Sequence, residues 1–354
     1  MISKNKIKVL VVDDSALIRQ TLISIISSQD NMEVIATASD PYIAVNKMKT
    51  ERPDVITLDI QMPRMDGITF LKKIMKQHPI PVVVVSSITQ KESELALSAY
   101  KYGAIDVIEK PTASSDLLLG NWKEKFIDAI STAANSKLPK FKIGASTNSS
   151  PKKKNPAIKQ SKNKTCNSFI LIGSSAGGTE VIYNILSKLD VNTPPILIAQ
   201  HMPVQFTASY AQRLNDNSMM EVREAVSGDE LHRGLALVAK GDQHMELKNN
   251  GFNFFVELNS NDKVNRHRPS VDVLFNSALT YSGNNIMAII LSGMGNDGSN
   301  GMLALNHEGV TTIAQSSESC IVFGMPKEAL RIGAATYSLS IDEIVTAINK
   351  FSNK

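Results

Sequence analysis

Short apolar runs alternate with helix-length segments along almost the whole chain, and this alternation restricts it to α/β architectures built on parallel sheet. Residues 8–12, 33–38, 55–58, 82–85 and 106–108 are rich in β-branched residues and read as strands. Residues 15–28, 43–49, 67–77, 92–102 and 116–134 fit helices between and after them, the first with Leu17, Ile18, Leu22, Ile25 and Ile26 at helical spacing. The alternation stops at residue 136 and resumes at 169. There the spacing predicts strands over 169–172, 196–199, 286–291 and 311–314, and helices over 180–189, 205–215, 271–280, 298–307, 326–332 and 341–351. Residues 235–239, 245–248 and 253–258 read as shorter strands, with the spacing of a hairpin region.

The interruption sets the domain organisation. Residues 137–166 are rich in Lys, Ser, Asn and Pro and have no apolar period, so they read as a linker. The chain then divides into a domain at 1–136, a Lys-rich linker at 137–166 and a second domain at 167–354, in keeping with a soft expectation of ~150 residues per domain. Five strands and five helices in the first domain suit the flavodoxin-like doubly wound fold, and the second is expected to be another α/β domain with a mainly parallel sheet. The net charge of +4 hints at nucleic acid, but nine lysines and no acid lie within 137–164, which leaves −5 for the rest. The basicity therefore belongs to a solvated, self-repelling linker, and no nucleic-acid partner is expected. At 42% hydrophobic and 20% charged the chain has enough apolar residues for true cores, yet its longest apolar runs, such as 80–85 and 286–291, fall far short of the ~20 residues that span a bilayer. The first apolar run leads into Asp13 and Asp14 instead of a small-residue cleavage site, and Cys166 and Cys320 are the only cysteines. A reduced, cytoplasmic protein without disulfides is expected.

In an open parallel sheet, ligands bind at the carboxyl ends of the strands. Asp13 and Asp14 follow the first strand and Asp59 follows the third, so three carboxylates converge on one edge. They should repel unless a hard cation sits among them, and Mg²⁺ suits oxygen ligands. Ser86 ends the fourth strand and Lys110 follows the fifth, a hydroxyl and an ammonium able to bind the oxygens of a phosphoryl group on Asp59. Singly, Asp13 or Asp14 could cap a helix and Lys110 could be a surface charge. The ordered set DDS, LDIQMPRMDG, VVSS and EKP resembles the receiver domain of bacterial response regulators over residues 7–135. The resemblance implies an acid pocket of Asp13 and Asp14 holding Mg²⁺ with Asp59, phosphorylation at Asp59, and phosphate contacts from Ser86 and Lys110. Val107 stands where many receivers carry an aromatic switch residue, which points to output through the domain interface.

The second domain opens with a strand followed by Gly173-Ser-Ser-Ala-Gly-Gly178, of which residues 173–177 fit G-x-S-x-G with Ser175 at the centre. Small flanking residues let a strand turn sharply into a helix and expose the hydroxyl, and the helix N-terminus favours a developing oxyanion. A glycine-rich turn here also suits a dinucleotide, but Ser175 occupies the second glycine place of G-x-G-x-x-G. His201 follows the next strand and Asp297 a later buried one, so both fall on the edge that carries Ser175. The order Ser, His, Asp differs from the familiar hydrolase orders, but a triad is defined by geometry. Glycines around Met294 allow backbone N–H groups to approach an oxyanion. These segments, with Arg266-His-Arg-Pro-Ser-Val-Asp272, resemble chemotaxis protein-glutamate methylesterase over about 167–350. The resemblance implies Ser175 as nucleophile, His201 as general base, Asp297 as the residue orienting it and Met294 as an oxyanion N–H. Ala176 replaces a threonine common among relatives, and Ser174 is a decoy nucleophile. His78, His232 and His307 read as surface or loop residues, and His244 and His267 receive no chemistry.

Together the two resemblances imply a serine hydrolase activated by phosphorylation. It would demethylate glutamyl methyl esters on methyl-accepting chemotaxis receptors and deamidate receptor glutamines, with no cofactor for the ester reaction and Mg²⁺ for the switch. A chemotaxis histidine kinase would be the phosphodonor, the membrane would be met only through receptors, and a monomer is expected. Two rivals are a response regulator with a DNA-binding effector and a receiver-linked hydrolase of a small ester. The effector is too large and too rich in βα alternation for a helix-turn-helix, whereas the triad alone does not exclude the small ester.

Overall fold

The computed structural model describes residues 6–87, 90–111, 116–138, 167–283 and 285–353. The predicted linker lies outside them from residue 139 onward, as does Cys166. The chain forms two compact units, one on each side of that segment.

The first unit alternates β1 (Ile7–Val12), α1 (Ala16–Ser27), β2 (Met32–Ala38), α2 (Pro41–Thr50), β3 (Val55–Leu58), α3 (Gly67–Gln77), β4 (Val82–Ser86), α4 (Gln90–Lys101), β5 (Asp106–Glu109) and α5 (Asp116–Ala134). All pairings are parallel, in the order β2-β1-β3-β4-β5, the doubly wound order anticipated from the sequence. Strands β3 and β4 are buried at every position because helices cover both faces, which is why they read as almost wholly apolar runs. On α5, Phe126, Ile130 and Ala133 are fully buried at helical spacing, and Trp122 Nε1 donates to the Glu109 carbonyl at 2.6 Å. Burial of Phe126 alone contributes roughly 1.5–3 kcal/mol. Helix α2 begins two residues before the predicted start, because Asp40 caps it through Tyr42 N and Ile43 N and Pro41 sets its first turn.

The second unit contains β6 (Ser168–Ser174), α6 (Gly178–Leu186), β7 (Ile196–Gln200), α7 (Val204–Asp216), β8 (Glu221–Glu224), β9 (Leu235–Val238), β10 (His244–Asn249), β11 (Phe254–Asn259), α8 (Val271–Ser277), β12 (Asn285–Ile290), α9 (Ser299–His307), β13 (Thr311–Gln315), α10 (Met325–Arg331), β14 (Tyr337–Leu339) and α11 (Ile341–Ser352). Seven strands form one parallel sheet in the order β14-β13-β12-β6-β7-β9-β8, and β10 and β11 form the expected antiparallel hairpin. The central strand β6 carries Phe169, Ile170, Leu171 and Ile172, all fully buried. The helix expected over 271–280 ends at Ser277 and continues as a 3-10 turn, Leu279–Tyr281. The polar edge strands β8 and β14 were not anticipated; each pairs on one side only. Among the described residues, no helix is long and apolar enough to cross a membrane.

Candidate active site and acid pocket

In the first unit the acids lie where the strand order predicts. Asp13 and Asp59 follow β1 and β3 and are buried, while Asp14 is exposed. One carboxylate oxygen from each of Asp13, Asp14 and Asp59 lies within 4.8 Å of the others. Local hydrogen bonds orient the pocket: Asp13 Oδ1 accepts from Ser15 N at 2.9 Å and Asp59 Oδ1 from Gln61 N at 3.3 Å. The helix cap is Ser15, whose hydroxyl accepts from Ile18 N, so neither Asp13 nor Asp14 caps α1. Lys110 Nζ lies 2.9 Å from Asp13 Oδ2 and 2.8 Å from Asp59 Oδ2. Ser86 is buried at the end of β4, its hydroxyl donating to the Ser87 carbonyl at 3.1 Å. Gly67 is required here, because a Cβ would stand 2.0 Å from the Asp59 carbonyl oxygen.

Burial pushes the Asp59 carboxyl up to about 6 against the opposing pull of Lys110, and the charge of Asp13 adds to the rise. Burial would lower the Lys110 ammonium, but its hydrogen bonds to Asp59 and Asp13 outweigh that and hold it above its ordinary value. Asp13 Oδ2 and Asp59 Oδ2 are buried and accept no well-formed hydrogen bond among the described residues beyond their ion pairs with Lys110. Three carboxylates with clustered oxygens, two of the residues buried, fit a hard divalent cation such as Mg²⁺.

In the second unit the parallel register brings the other set to one sheet edge. Ser174 pairs with Gln200 and Gly173 with Ile290, so the residues leaving β6, β7 and β12 start side by side. Ser175 N donates to the Ser292 carbonyl at 3.0 Å, His201 N to the Ser174 carbonyl at 3.0 Å, and Gln200 Nε2 to the Ser175 carbonyl at 3.0 Å. Gly177, at φ 73°, turns the chain into α6. Ser175 is partly accessible, whereas Ser174 is fully buried and its hydroxyl donates to the Ser292 carbonyl, which removes the decoy from the surface. The Ala176 carbonyl accepts from Ser292 Oγ at 2.9 Å, so a hydroxyl from another loop supports this turn.

His201 Nε2 lies 2.8 Å from Asp297 Oδ2. Asp297 is almost fully buried and its oxygens accept five hydrogen bonds: from His201 and Val271 N on Oδ2, and from Asn265 Nδ2, Ser270 Oγ and Asp272 N on Oδ1. Asp297 thus caps α8 from outside, in place of the helix's own Ser270. Burial would raise its carboxyl, but the bond from His201 and those from Asn265 and Ser270 hold it well below the usual carboxylate range. An ionised Asp297 only accepts, so Nε2 of His201 carries its proton and Nδ1 presents the lone pair. That Nδ1 is buried without a hydrogen-bond partner among the described residues. Gly293 packs against the serine, with its would-be Cβ 2.8 Å from Ser175 Cβ, and Met294 follows it at the same edge, half-buried.

Three contributors were not anticipated. Asn265 Nδ2 links two buried carboxylates, Asp297 Oδ1 and Asp272 Oδ2, at 2.7 Å each. The His267 ring, to which the sequence assigned no chemistry, stacks on His201, centroid to centroid 3.7 Å with 8° between planes. His244, also left without a role, is buried and accepts from Ser270 N at 3.2 Å, which ties the hairpin to the residue that holds Asp297. The sequence signal for Asn265 and His267 was their place in the 265–272 segment, without a partner to assign them to, whereas His244 stands apart at the start of β10. His78 and His307 are exposed and His232 is half-buried, as expected of surface positions.

Comparison with known proteins agrees with both halves. The family model described as CheB methylesterase matches residues 170–348, and that of the response regulator receiver domain matches 9–119. A protein-glutamate methylesterase/protein-glutamine glutaminase of Geobacter metallireducens is 44% identical over 97% of this chain and 98% of its own length. One from Chromohalobacter salexigens is 45% identical over 98% and 97%. The crystal structure of the Thermotoga maritima CheB methylesterase catalytic domain is 39% identical, with a TM-score of 0.50 over 51% of this chain and 96% of that one. A chain with both matches in this order and relatives of this identity along its whole length belongs to the CheB methylesterase family, with a response regulator receiver domain preceding the esterase.

Proposed function

We propose that this chain is a phosphorylation-activated protein-glutamate methylesterase that also deamidates glutamines on the same chemoreceptors. The observation that carries the reading is the 2.8 Å pair between His201 Nε2 and a buried, ionised Asp297 beside the turn that leaves Ser175 partly accessible. Ser175 Oγ attacks the side-chain carbonyl of a glutamyl methyl ester as His201 Nδ1 takes its proton. Asp297 stabilises the imidazolium that forms. The Met294 N–H, in the Gly293–Gly295 turn, donates to the developing oxyanion, an interaction whose loss typically costs about 10²–10³ in rate. His201 returns the proton to the departing methanol, or to ammonia when the substrate is glutamine. Water activated by His201 then cleaves the acyl-enzyme and leaves glutamate.

The receiver half supplies the switch. Asp59 accepts the phosphoryl group from a chemotaxis histidine kinase, and Ser86 and Lys110 bind its oxygens. Asp13, Asp14 and Asp59 would hold Mg²⁺, which when bound neutralises charge as the phosphoryl group arrives. Phosphorylation releases a restraint that the receiver exerts on the esterase and so shifts a population of states. In this reading the domains are 1–136 and 167–354 around a linker at 137–166, and the protein is a cytoplasmic monomer that meets the membrane only through methyl-accepting receptors.

The test is methanol release from methylated chemoreceptor membranes by the purified chain, with and without a small phosphodonor and Mg²⁺. Release that rises with the phosphodonor and vanishes in Ser175→Ala is expected. A folded protein that releases none overturns the esterase reading, and release indifferent to the phosphodonor overturns the switch. Deleting residues 1–136 is expected to raise basal release, and no rise, or a fall, would overturn the restraint.

A further inference from the structure

The mechanism needs His201 Nδ1 to point at Ser175, yet Nδ1 has no hydrogen bond of its own among the described residues. The imidazole is held at Nε2 by Asp297 and at Cβ by the backbone. Those two points leave a rotation about the Cβ–Cγ bond, which is intrinsically soft for histidine. Nε2 lies close to that axis and stays within reach of Asp297 as the ring turns, whereas Nδ1 is carried further. One hydrogen bond therefore fixes the tautomer without fixing the aim of the base. The constraint that removes this freedom is planar: the ring of His267 lies parallel to that of His201, 3.7 Å away with an 8° tilt.

The backbone that carries the second ring is well braced. Val264 and His267 exchange backbone hydrogen bonds of 3.2 and 2.9 Å, closing a tight turn over Asn265 and Arg266. Both central residues have positive φ, 51° and 69°, as a type I′ turn requires. Neither is glycine, so the conformation needs support from outside the turn. Asn265 supplies it through Asp297 and Asp272. On the other side, Arg268 donates to Asp242 Oδ1 and to the carbonyls of Ser260 and Asn261, and Ser270 Oγ reaches Asp297 at 2.7 Å. The segment from 265 to 270 thus grips the aspartate from both ends and lays a flat ring on the histidine between them.

We propose that His267 is a positioning residue for the general base: its ring sets the plane of the His201 imidazole and thereby the direction of the Nδ1 lone pair. The role asks for a flat ring, not for an ionisable one. It rests on the triad reading above, since only a base has a direction to set.

The experiment compares full-length His267→Phe, His267→Leu and His267→Ala with the parent. Folding is checked by thermal unfolding, kcat and KM are measured for methanol release, and the rate at which a fluorophosphonate labels Ser175 is followed separately. Leu fills the space without a plane, Ala removes both, and Phe keeps the plane. The expected result is kcat and labelling rate lowered about 10- to 100-fold in Leu and Ala at unchanged KM, with Phe within about 3-fold of the parent. Leu as active as the parent, or folded Phe as impaired as Leu, overturns the inference. If Ala fails to fold, the Phe–Leu contrast decides alone. A parent that labels at Ser175 but releases no methanol contradicts only the methylesterase reading and leaves the labelling comparison to judge His267. A parent that does neither overturns both.

Discussion

Asn265 donates to Asp297 at 2.7 Å from a backbone conformation, φ 51°, that most side chains avoid. The same amide reaches Asp272 at 2.7 Å, so one neutral group stands between two buried carboxylates. Their environments then diverge. Burial raises Asp272, and the charge of Asp297 adds to the rise, whereas Asp297 is held low by His201, Asn265 and Ser270 against its own burial. The ionised form is therefore favoured more strongly at the carboxylate that faces the histidine than at its neighbour.

Asn265→Gly isolates this amide, since glycine keeps the turn. Hydrogen bonds to charged groups are worth about 1.5–3 kcal/mol each, so the variant is expected to lose roughly that amount or more by urea denaturation. It should also show a kcat lowered about 10-fold with KM unchanged. Unchanged kcat would mean that Asp297 holds its place without the amide.

Asp59→Asn tests the acid pocket. The Asp59 carboxyl is raised to about 6. A raised pKa means that the folded state prefers the protonated form, a preference fully present below about pH 4 and lost as pH climbs through 6. Above that range the ionised carboxylate costs stability, at most about 3 kcal/mol for a shift of about two units. Asp59→Asn is therefore expected to raise the unfolding temperature of the receiver at pH 7.5 in the absence of Mg²⁺, with the gain disappearing near pH 4. A pH-independent difference in calorimetry would contradict this.

Ser174→Ala and Ser175→Ala should separate cleanly. The Ser174 hydroxyl is buried against the Ser292 carbonyl at 3.3 Å, and its loss is expected to cost about 1 kcal/mol with turnover within about 3-fold of the parent. Ser175→Ala is expected to keep the parent's unfolding curve and to lose methanol release. Loss of turnover in Ser174→Ala alone would reverse the assignment of nucleophile.

Gly293→Ala probes the floor of the site. The added Cβ would meet Met325 Sδ at 2.3 Å and Ser175 Cβ at 2.8 Å. The methionine end can swing aside, but the serine Cβ sits on the turn and must shift. A displacement of that order costs about 10² in rate when it moves a nucleophile, with about 1–3 kcal/mol of overpacking. Steady-state kinetics and denaturation on the same sample check both.

Alternation of apolar runs with helical periods determined the two α/β units, and the position of each acid, hydroxyl and histidine just after a strand placed it at a carboxyl edge. Those features are local, governed by side-chain period and turn chemistry, and so the sheet-edge placement of Asp13, Asp14, Asp59, Ser86, Lys110, Ser175, His201 and Asp297 was legible from the chain. The edge strands β8 (Glu221–Glu224) and β14 (Tyr337–Leu339) were not, because neither has an apolar run and each exists only through its pairing with β9 or β13. The roles of Asn265, His267 and Ser270 were decided by tertiary structure. They act on Asp297 and His201, which lie from 27 to 66 residues away in sequence, and only the folded sheet brings those groups within hydrogen-bond or stacking distance.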